Sequence, residues 1–305
     1  MVQTPSTSKV WLVTGCSSGL GRELVTAILG RGDKVIPTAR KLSDLEYMYS
    51  LDGAADNVHP IELDVTMPER ELYIKIRGAV GHLGHIDVLV NNAGFVFSGV
   101  WEEVSDNDIR RQFDTNFYGS LKMVRCVLPY MRARRSGVIL FMGSIAGWHG
   151  VAAGGPYSAS KFAVEGAAES LSREITHLGI RVHVLVLGMF RTGILSPSNK
   201  NKTINLTAIP DYANVQEELR CRHRNSDGKQ PGNPVLAAQK VFDVVALMYA
   251  SPATFPLRIP LGSDALTVIK RKCTDTLEEL KGWESFASST DFTDGPSRST
   301  VYSRL

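Results

Sequence analysis

Val10-Trp11-Leu12-Val13-Thr14-Gly15-Cys16-Ser17-Ser18-Gly19-Leu20-Gly21 lies near the start of a 305-residue chain. Its first five residues are a short apolar run that reads as a strand. From Gly19 to Arg31, Leu20, Leu24, Ala27 and Ile28 recur on one helical face. The glycines between the two let a backbone come close to a ligand. A helix start offers free N–H groups and a positive dipole end to an anion. Three glycines alone would also suit a plain tight turn, but a place between the first strand and the first helix favours a nucleotide phosphate loop.

The same alternation continues along the chain. Lys34–Thr38, Val58–Leu63, Ile86–Val90, Gly137–Met142, Arg181–Leu187 and Leu257–Leu261 are short aliphatic strand candidates. Helical patterns fall at Pro68–Val80, Ser105–Arg134 with a break near Asp114, Gly155–Leu178, Val235–Tyr249 and Ser263–Phe286. Alternation of this kind predicts a parallel sheet covered on both faces. The expected fold is α/β, a three-layer doubly wound Rossmann sheet of about seven strands. One domain is expected over 1–288. Within it, 193–234 is a polar insert just past the sixth strand, read as a substrate lid with helix around Tyr212–Arg222. A solvated surface loop would look similar. The tail 289–305 has a composition that predicts disorder.

Bulk composition excludes several classes. A hydrophobic fraction of 43% and a charged fraction of 21% are ordinary for a globular protein. A net charge of +3 gives no reason to expect nucleic acid as a partner. Cys16, Cys126, Cys221 and Cys273 form no CxxC or paired spacing, so neither metal nor disulfides are expected. Reduced thiols suit a cytoplasmic setting. Met1–Ser8 is polar and does not read as a signal peptide. No apolar run reaches the ~18 residues of a membrane span. Asn201-Lys202-Thr203 and Asn205-Leu206-Thr207 match the glycosylation pattern by chance on this reading.

The chemistry concentrates at Tyr157 and Lys161, four residues apart and so on one helical face. A phenol is a poor base near neutral pH. A neighbouring ammonium is expected to lower its pKa, so that Tyr157 can exchange a proton with an alcohol or alkoxide. Ser144, upstream, can donate a hydrogen bond to a substrate oxygen. At the end of the second strand, Arg40 and Lys41 stand where an NAD-binding site places an acid, and a guanidinium suits a 2′-phosphate. NADP(H) is therefore the expected cofactor.

Together these residues resemble the short-chain dehydrogenase/reductase family over about Lys9–Thr192. The matching residues are Thr14–Gly21, Asp64, Asn91-Asn92-Ala93-Gly94, Asn116, Ser144, Tyr157 and Lys161. The resemblance implies a catalytic set of Ser144, Tyr157, Lys161 and Asn116. Tyr157 would be the acid/base and Lys161 would also hold the nicotinamide ribose. Asn116 would hold a relay water near a distorted helix turn. It further implies a cofactor site of Gly15, Ser17, Ser18, Gly19, Leu20, Gly21, Arg40, Lys41, Asp64, Val65, Asn92, Ala93, Gly94 and Thr192. The family's Pro-Gly after the sixth strand is replaced by Leu187-Gly188. Cys16 inside the loop reads as a small packing residue, although a helix start can activate a thiol.

Phe95, Val96, Phe97, Trp148, Met189 and Phe190 flank the motifs and could line an apolar pocket for a hydrophobic ketone or alcohol, polycyclic, terpenoid or polyketide-like, although core packing would explain any one of them as well. A non-catalytic NADP(H)-binding sensor, or an epimerase or dehydratase on the same fold, are the alternatives. The resemblance also implies a homodimer or homotetramer. The chain ends Ser303-Arg304-Leu305, similar to a peroxisomal address, so the peroxisome is the alternative to the cytoplasm.

Overall fold

The computed structural model describes residues 8–194, 203–204, 209–251 and 255–292. Strands β1 (Val10–Val13), β2 (Lys34–Ala39), β3 (Ile61–Glu62), β4 (Val88–Asn91), β6 (Gly137–Met142), β7 (Ile180–Leu187) and β9 (Arg258–Leu261) form one seven-stranded parallel sheet, in the order 3-2-1-4-6-7-9. The order reverses between β1 and β4, which opens a crevice at the carboxyl edge of the sheet. Two further short strands, β5 (Phe97–Ser98) and β8 (Thr203–Ile204), pair in parallel with each other. Helices α1 (Gly19–Leu29), α2 (Ala54–Asn57), α3 (Glu69–Leu83), α4 (Asp106–Phe113), α5 (Gly119–Arg134), α6 (Gly155–Ile175), α7 (Ala213–Ser226), α8 (Pro234–Ala250), α9 (Ser263–Lys281) and α10 (Glu284–Ser288) complete the described elements.

The sheet is buried on both faces, as its continuous aliphatic strands require. One core cluster joins Trp11, Val13, Leu24 and Ile28 to Val241 and Phe242 of α8. The other joins Leu12, Leu72, Ile76, Met123, Val127 and Val184. The expected α/β fold stands, and with it the strand count.

Several boundaries differ for local reasons. The third strand is shorter than expected, because Pro60 interrupts it and has no N–H to donate. Val58 is left as an isolated bridge to Val35. The long helix after Ser105 divides into α4 and α5 at a π turn, Asp114–Tyr118, where the break was expected. The last helix ends at Lys281, and α10 resumes after Gly282 and Trp283. A 3-10 stretch, Leu42–Ser50, and helix α2 have no clear periodic signal and were not expected. The terminal tripeptide, the two glycosylation-like matches apart from Thr203, and most of the predicted tail lie outside the described residues. No helix among the described residues is long and apolar enough to cross a membrane.

At the opposite end of the sheet, Asp87 ties three elements together. Its carboxylate is 2% exposed and accepts from the Val10 N–H at 2.9 Å and from Arg134 Nη1 at 3.0 Å, with His85 Nε2 also at 3.0 Å. Asp87→Ala leaves a buried strand N–H unpaired and takes the carboxylate partner from the exposed Arg134. The expected cost is about 3 kcal/mol, seen in a thermal melt as a fall of roughly 6–10 °C.

Candidate active site

The phosphate loop is held from below by β4. The Thr14 hydroxyl, 1% exposed, accepts from the N–H groups of Asn92 and Ala93, both at 2.9 Å. Asn92 Nδ2 donates to the carbonyls of Thr14 at 2.7 Å and Gly15 at 3.0 Å. Two glycines make this approach possible. A Cβ on Gly21 would sit 2.5 Å from both Asn92 Nδ2 and the Gly15 oxygen, and Gly15 has φ +71° with Ala93 Cα close behind it. From above, Tyr47 donates to the Cys16 carbonyl at 2.9 Å, under the guanidinium of Arg22. No local pattern hinted at the Tyr47 brace, which depends on the unexpected 3-10 stretch.

The loop fits an anion. Ser18 caps α1 without a side-chain hydrogen bond, and the first turn of the helix holds no acid. The leading N–H groups of α1 therefore keep their donors for a ligand. Ser17 and Ser18 are exposed, and Gly19 lies 3.5 Å (by its absent Cβ) from Thr192 beyond β7. Arg40 and Lys41 are exposed at the end of β2. Asp64 accepts from the N–H and hydroxyl of Thr66 at 2.8 and 2.7 Å. Leu20 and Val65 are in the core at 8% and 5% exposure, so they offer a ligand mainly their backbone. Cys16 is fully buried, and burial pushes its thiol up to about 12. It packs, as expected, and is not activated.

The same sheet edge carries the second group. Ser144 follows β6 and caps a short 3-10 turn, its Oγ accepting from the Ala146 N–H at 3.1 Å. Tyr157 is half-buried in the first turn of α6, and the Ser144 hydroxyl near it acts to lower the phenol's pKa. Lys161, 9% exposed, donates to the Met142 carbonyl at 2.6 Å, with Nζ 5.8 Å from the Tyr157 ring centre. Asn116 lies in the π turn. Its amide accepts from the Phe95 N–H at 3.1 Å and donates to the Phe95 carbonyl at 3.2 Å and to Ser160 Oγ at 3.3 Å. Gly94 is pressed against it, 3.1 Å from Asn116 Oδ1 by its absent Cβ.

One electrostatic expectation is corrected. The Tyr157 phenol is not lowered: burial raises its pKa, and the nearby Ser144 hydroxyl offsets this only in part. Lys161 points its charge at the Met142 carbonyl instead, and burial lowers its own pKa to about 8. Desolvation thus dominates over the pair interaction on both groups. Below pH 8 the buried ammonium is carried at a cost. Between pH 8 and the free value of 10.5 the unfolded chain binds a proton that the native state lacks, so stability rises with pH there. Lys161→Met is therefore expected to stabilise the protein at pH 7 by about 2 kcal/mol, after subtracting the lost hydrogen bond. The gain fades towards pH 10.5, as denaturant titrations at several pH values would record.

A supporting network lies behind these residues. Glu165, one turn beyond Lys161, accepts from Arg258 Nε at 2.8 Å, and Arg258 also reaches Glu169 at 2.7 Å. Absent Cβ atoms on Gly143 and Gly147 would approach the Glu165 side chain at 3.2 and 3.3 Å, so the carboxylate fills the space behind the Ser144 turn. The i,i+4 spacing of Lys161 and Glu165 was visible in the sequence; Arg258, on the far strand β9, was not. Gln112 was missed as well. It is fully buried and clamps the backbone of Phe95 and Phe97.

Of the predicted apolar pocket, Phe97 is fully buried in the core and Trp148 packs under Arg258. Phe95, Val96, Met189 and Phe190 remain half-buried. At Leu187-Gly188, Val184 donates to the Leu257 carbonyl just before β9 and Gly188 to Leu261 at its end, and Asp264 accepts from the Met189 N–H at 2.6 Å. Position 187 is not among these donors, so leucine replaces the family's proline without disturbing that side of the ladder.

Comparison with known proteins agrees with this geometry. The sequence profile of the short chain dehydrogenase family matches residues 9–203. An uncharacterized oxidoreductase of Bacillus subtilis, YusZ, is 33% identical over 91% of this chain and 96% of its own length. Oxidoreductase BOA17 of Botryotinia fuckeliana is 30% identical over 85% and 90% respectively. Among solved structures, a short-chain dehydrogenase from Streptomyces avermitilis superposes with a TM-score of 0.82 at 32% identity, covering 94% of this chain and all of that one (100%). Two more distant structures share the fold. ElxO with NADP bound has a TM-score of 0.68 at 22% identity, covering 86% of this chain and 100% of its own. A Burkholderia phymatum protein in complex with NAD has 0.75 at 21%, covering 95% and 98%.

Proposed function

The chain belongs to the short-chain dehydrogenase/reductase family, and we propose that it is an NADP(H)-dependent oxidoreductase acting on the carbonyl or secondary alcohol of a hydrophobic substrate. The observation that carries this reading is the meeting of two groups at one sheet edge: the acid-free start of α1, with no side-chain hydrogen bond at its cap, and Tyr157 close to Ser144 and Lys161.

NADP(H), when bound, supplies or accepts the hydride. Gly15, Ser17, Ser18, Gly19, Leu20 and Gly21 would hold its pyrophosphate, chiefly through backbone N–H groups. Arg40 and Lys41, exposed at the end of β2, would hold the 2′-phosphate. Asp64 and Val65 would face the adenine, Asn92, Ala93 and Gly94 the middle of the cofactor, and Thr192 the carboxamide or phosphates.

Tyr157 keeps its proton at neutral pH because burial raises its pKa. That suits a proton donor to the carbonyl oxygen in reduction. Ser144, close to the phenol, would polarise the same oxygen. Lys161 would orient the ribose and supply positive charge beside the phenol. Asn116 would position the proton relay through the π turn. Phe95, Val96, Met189 and Phe190 support an apolar substrate, of the polycyclic, terpenoid or polyketide-like kind, with 193–234 as its lid. A cytoplasmic location fits the reduced cysteines.

The test follows consumption of reduced nicotinamide with a panel of apolar ketones, comparing NADPH with NADH, in wild type and Arg40→Ala. Turnover with NADPH is expected, and Arg40→Ala should raise its KM at least tenfold while leaving that of NADH within about twofold. Tight cofactor binding with no turnover on any ketone or alcohol would point to a sensor. Product formed without net cofactor use would point to epimerisation or dehydration.

A further inference from the structure

Helix α9 leaves the body of the molecule. Ala265 is fully buried and Ile269 packs on the core, but from Lys270 to Phe292 every side chain is exposed except the half-buried Thr276 and Ser288. Three helical turns with no tertiary support are marginal in water. The stretch is also not a purely polar face. Leu266, Leu277, Leu280, Trp283 and Phe286 are 48%, 62%, 56%, 58% and 66% exposed. Leu266, Ile269, Cys273, Leu277 and Leu280 follow spacings of three or four residues that put them on one stripe.

The flanking charges select what covers this stripe. The first half of the exposed helix carries Lys270, Arg271 and Lys272, and the second half carries Asp275, Glu278 and Glu279. Arg271 pairs with Asp275 at 3.5 Å and Lys281 with Glu278 at 2.7 Å. Lys270, Lys272 and Glu279 have no ionic partner among the described residues. A membrane surface would favour one sign of charge along the whole face, which α9 lacks. A second copy laid parallel would set like charges together. A second copy laid antiparallel sets the basic half against the acidic half.

We propose that α9 is a self-association element, through which two copies of this chain pair as antiparallel helices about a two-fold axis between Thr274 and Asp275. Leu266 then lies opposite the partner's Trp283 and Ile269 opposite the partner's Leu280, while Lys272 flanks the partner's Glu279. The pairing is isologous, so each contact occurs twice. It buries the stripe that the chain itself leaves open, and opposite charges fix its direction more than its strength.

The full-length protein is tested by sedimentation over a range of concentrations. Leu277→Glu/Leu280→Glu is expected to halve the solution mass, whatever other interface the protein uses. Lys272→Glu should weaken the association about tenfold by opposing like charges. Lys272→Glu combined with Glu279→Lys should restore it, because the pair re-forms across the axis with its signs exchanged. That rescue is specific to an intermolecular pair, since the two positions are two turns apart on one helix. An unchanged mass in the leucine variant overturns the proposal, as does failure of the charge exchange to rescue. A wild-type monomer that dimerises only when residues 293–305 are deleted would likewise overturn it, by assigning the stripe to the chain's own tail.

Discussion

Tyr157→Phe is expected to reduce kcat about 1,000-fold while leaving the fold and NADPH affinity in place. The size follows from what a positioned proton donor contributes, on the order of 100- to 10,000-fold. The phenol stands at the start of α6, near Ser144 and Lys161. Removing one oxygen leaves the ring packing and the backbone bond from Ser160 Oγ to the Tyr157 carbonyl, 2.7 Å, untouched. The variant should therefore melt within a degree or two of the wild type. Its cofactor affinity, followed by quenching of intrinsic fluorescence, should change less than threefold. A variant that keeps a tenth of its turnover would remove Tyr157 from the chemistry. One that loses turnover and fold together would say that the hydroxyl is structural.

The fold was legible because its signals are local. Strand and helix periods, the glycine loop and the Tyr157–Lys161 spacing all lie within a few turns of chain. The break near Asp114 could be placed from the sequence, and it became a π turn that aims Asn116 at Phe95. What was not legible depends on distance along the chain. Arg258 meets Glu165 across 93 residues, and Tyr47 meets the Cys16 carbonyl across 31. No periodicity encodes such pairings. The pKa of Tyr157 was misjudged for a related reason. The i,i+4 spacing placed the lysine on the correct face, but it could not say that its ammonium is bonded to Met142 or that burial outweighs charge. Phe97 likewise reads as pocket or core from sequence, and only its complete burial decides for core.

Gly21→Ala is expected to damage binding more than its single methyl group suggests. The added Cβ would lie 2.5 Å from both the Asn92 amide and the Gly15 carbonyl. Neither is a flexible chain end. Asn92 is fixed by its own bonds to Thr14 and Gly15, and Thr14 in turn holds the N–H groups of Asn92 and Ala93. Relief therefore requires α1 to back away from β4 or Asn92 to release the loop. Overpacking of this kind costs about 1–3 kcal/mol, and each hydrogen bond lost adds about 1 kcal/mol. A melting temperature lower by roughly 5–10 °C should follow. Moving the helix start also moves the N–H groups proposed to meet the pyrophosphate, so the Kd for NADPH should rise more than tenfold, measured by calorimetry below the new melting point. The converse change, Asn92→Ala, makes room for that methyl at the loss of the same bonds. Gly21→Ala in an Asn92→Ala background should thus cost less stability than in the wild type, which a double-mutant cycle of melts would measure. Additive losses would mean that the Gly15 carbonyl alone enforces the glycine.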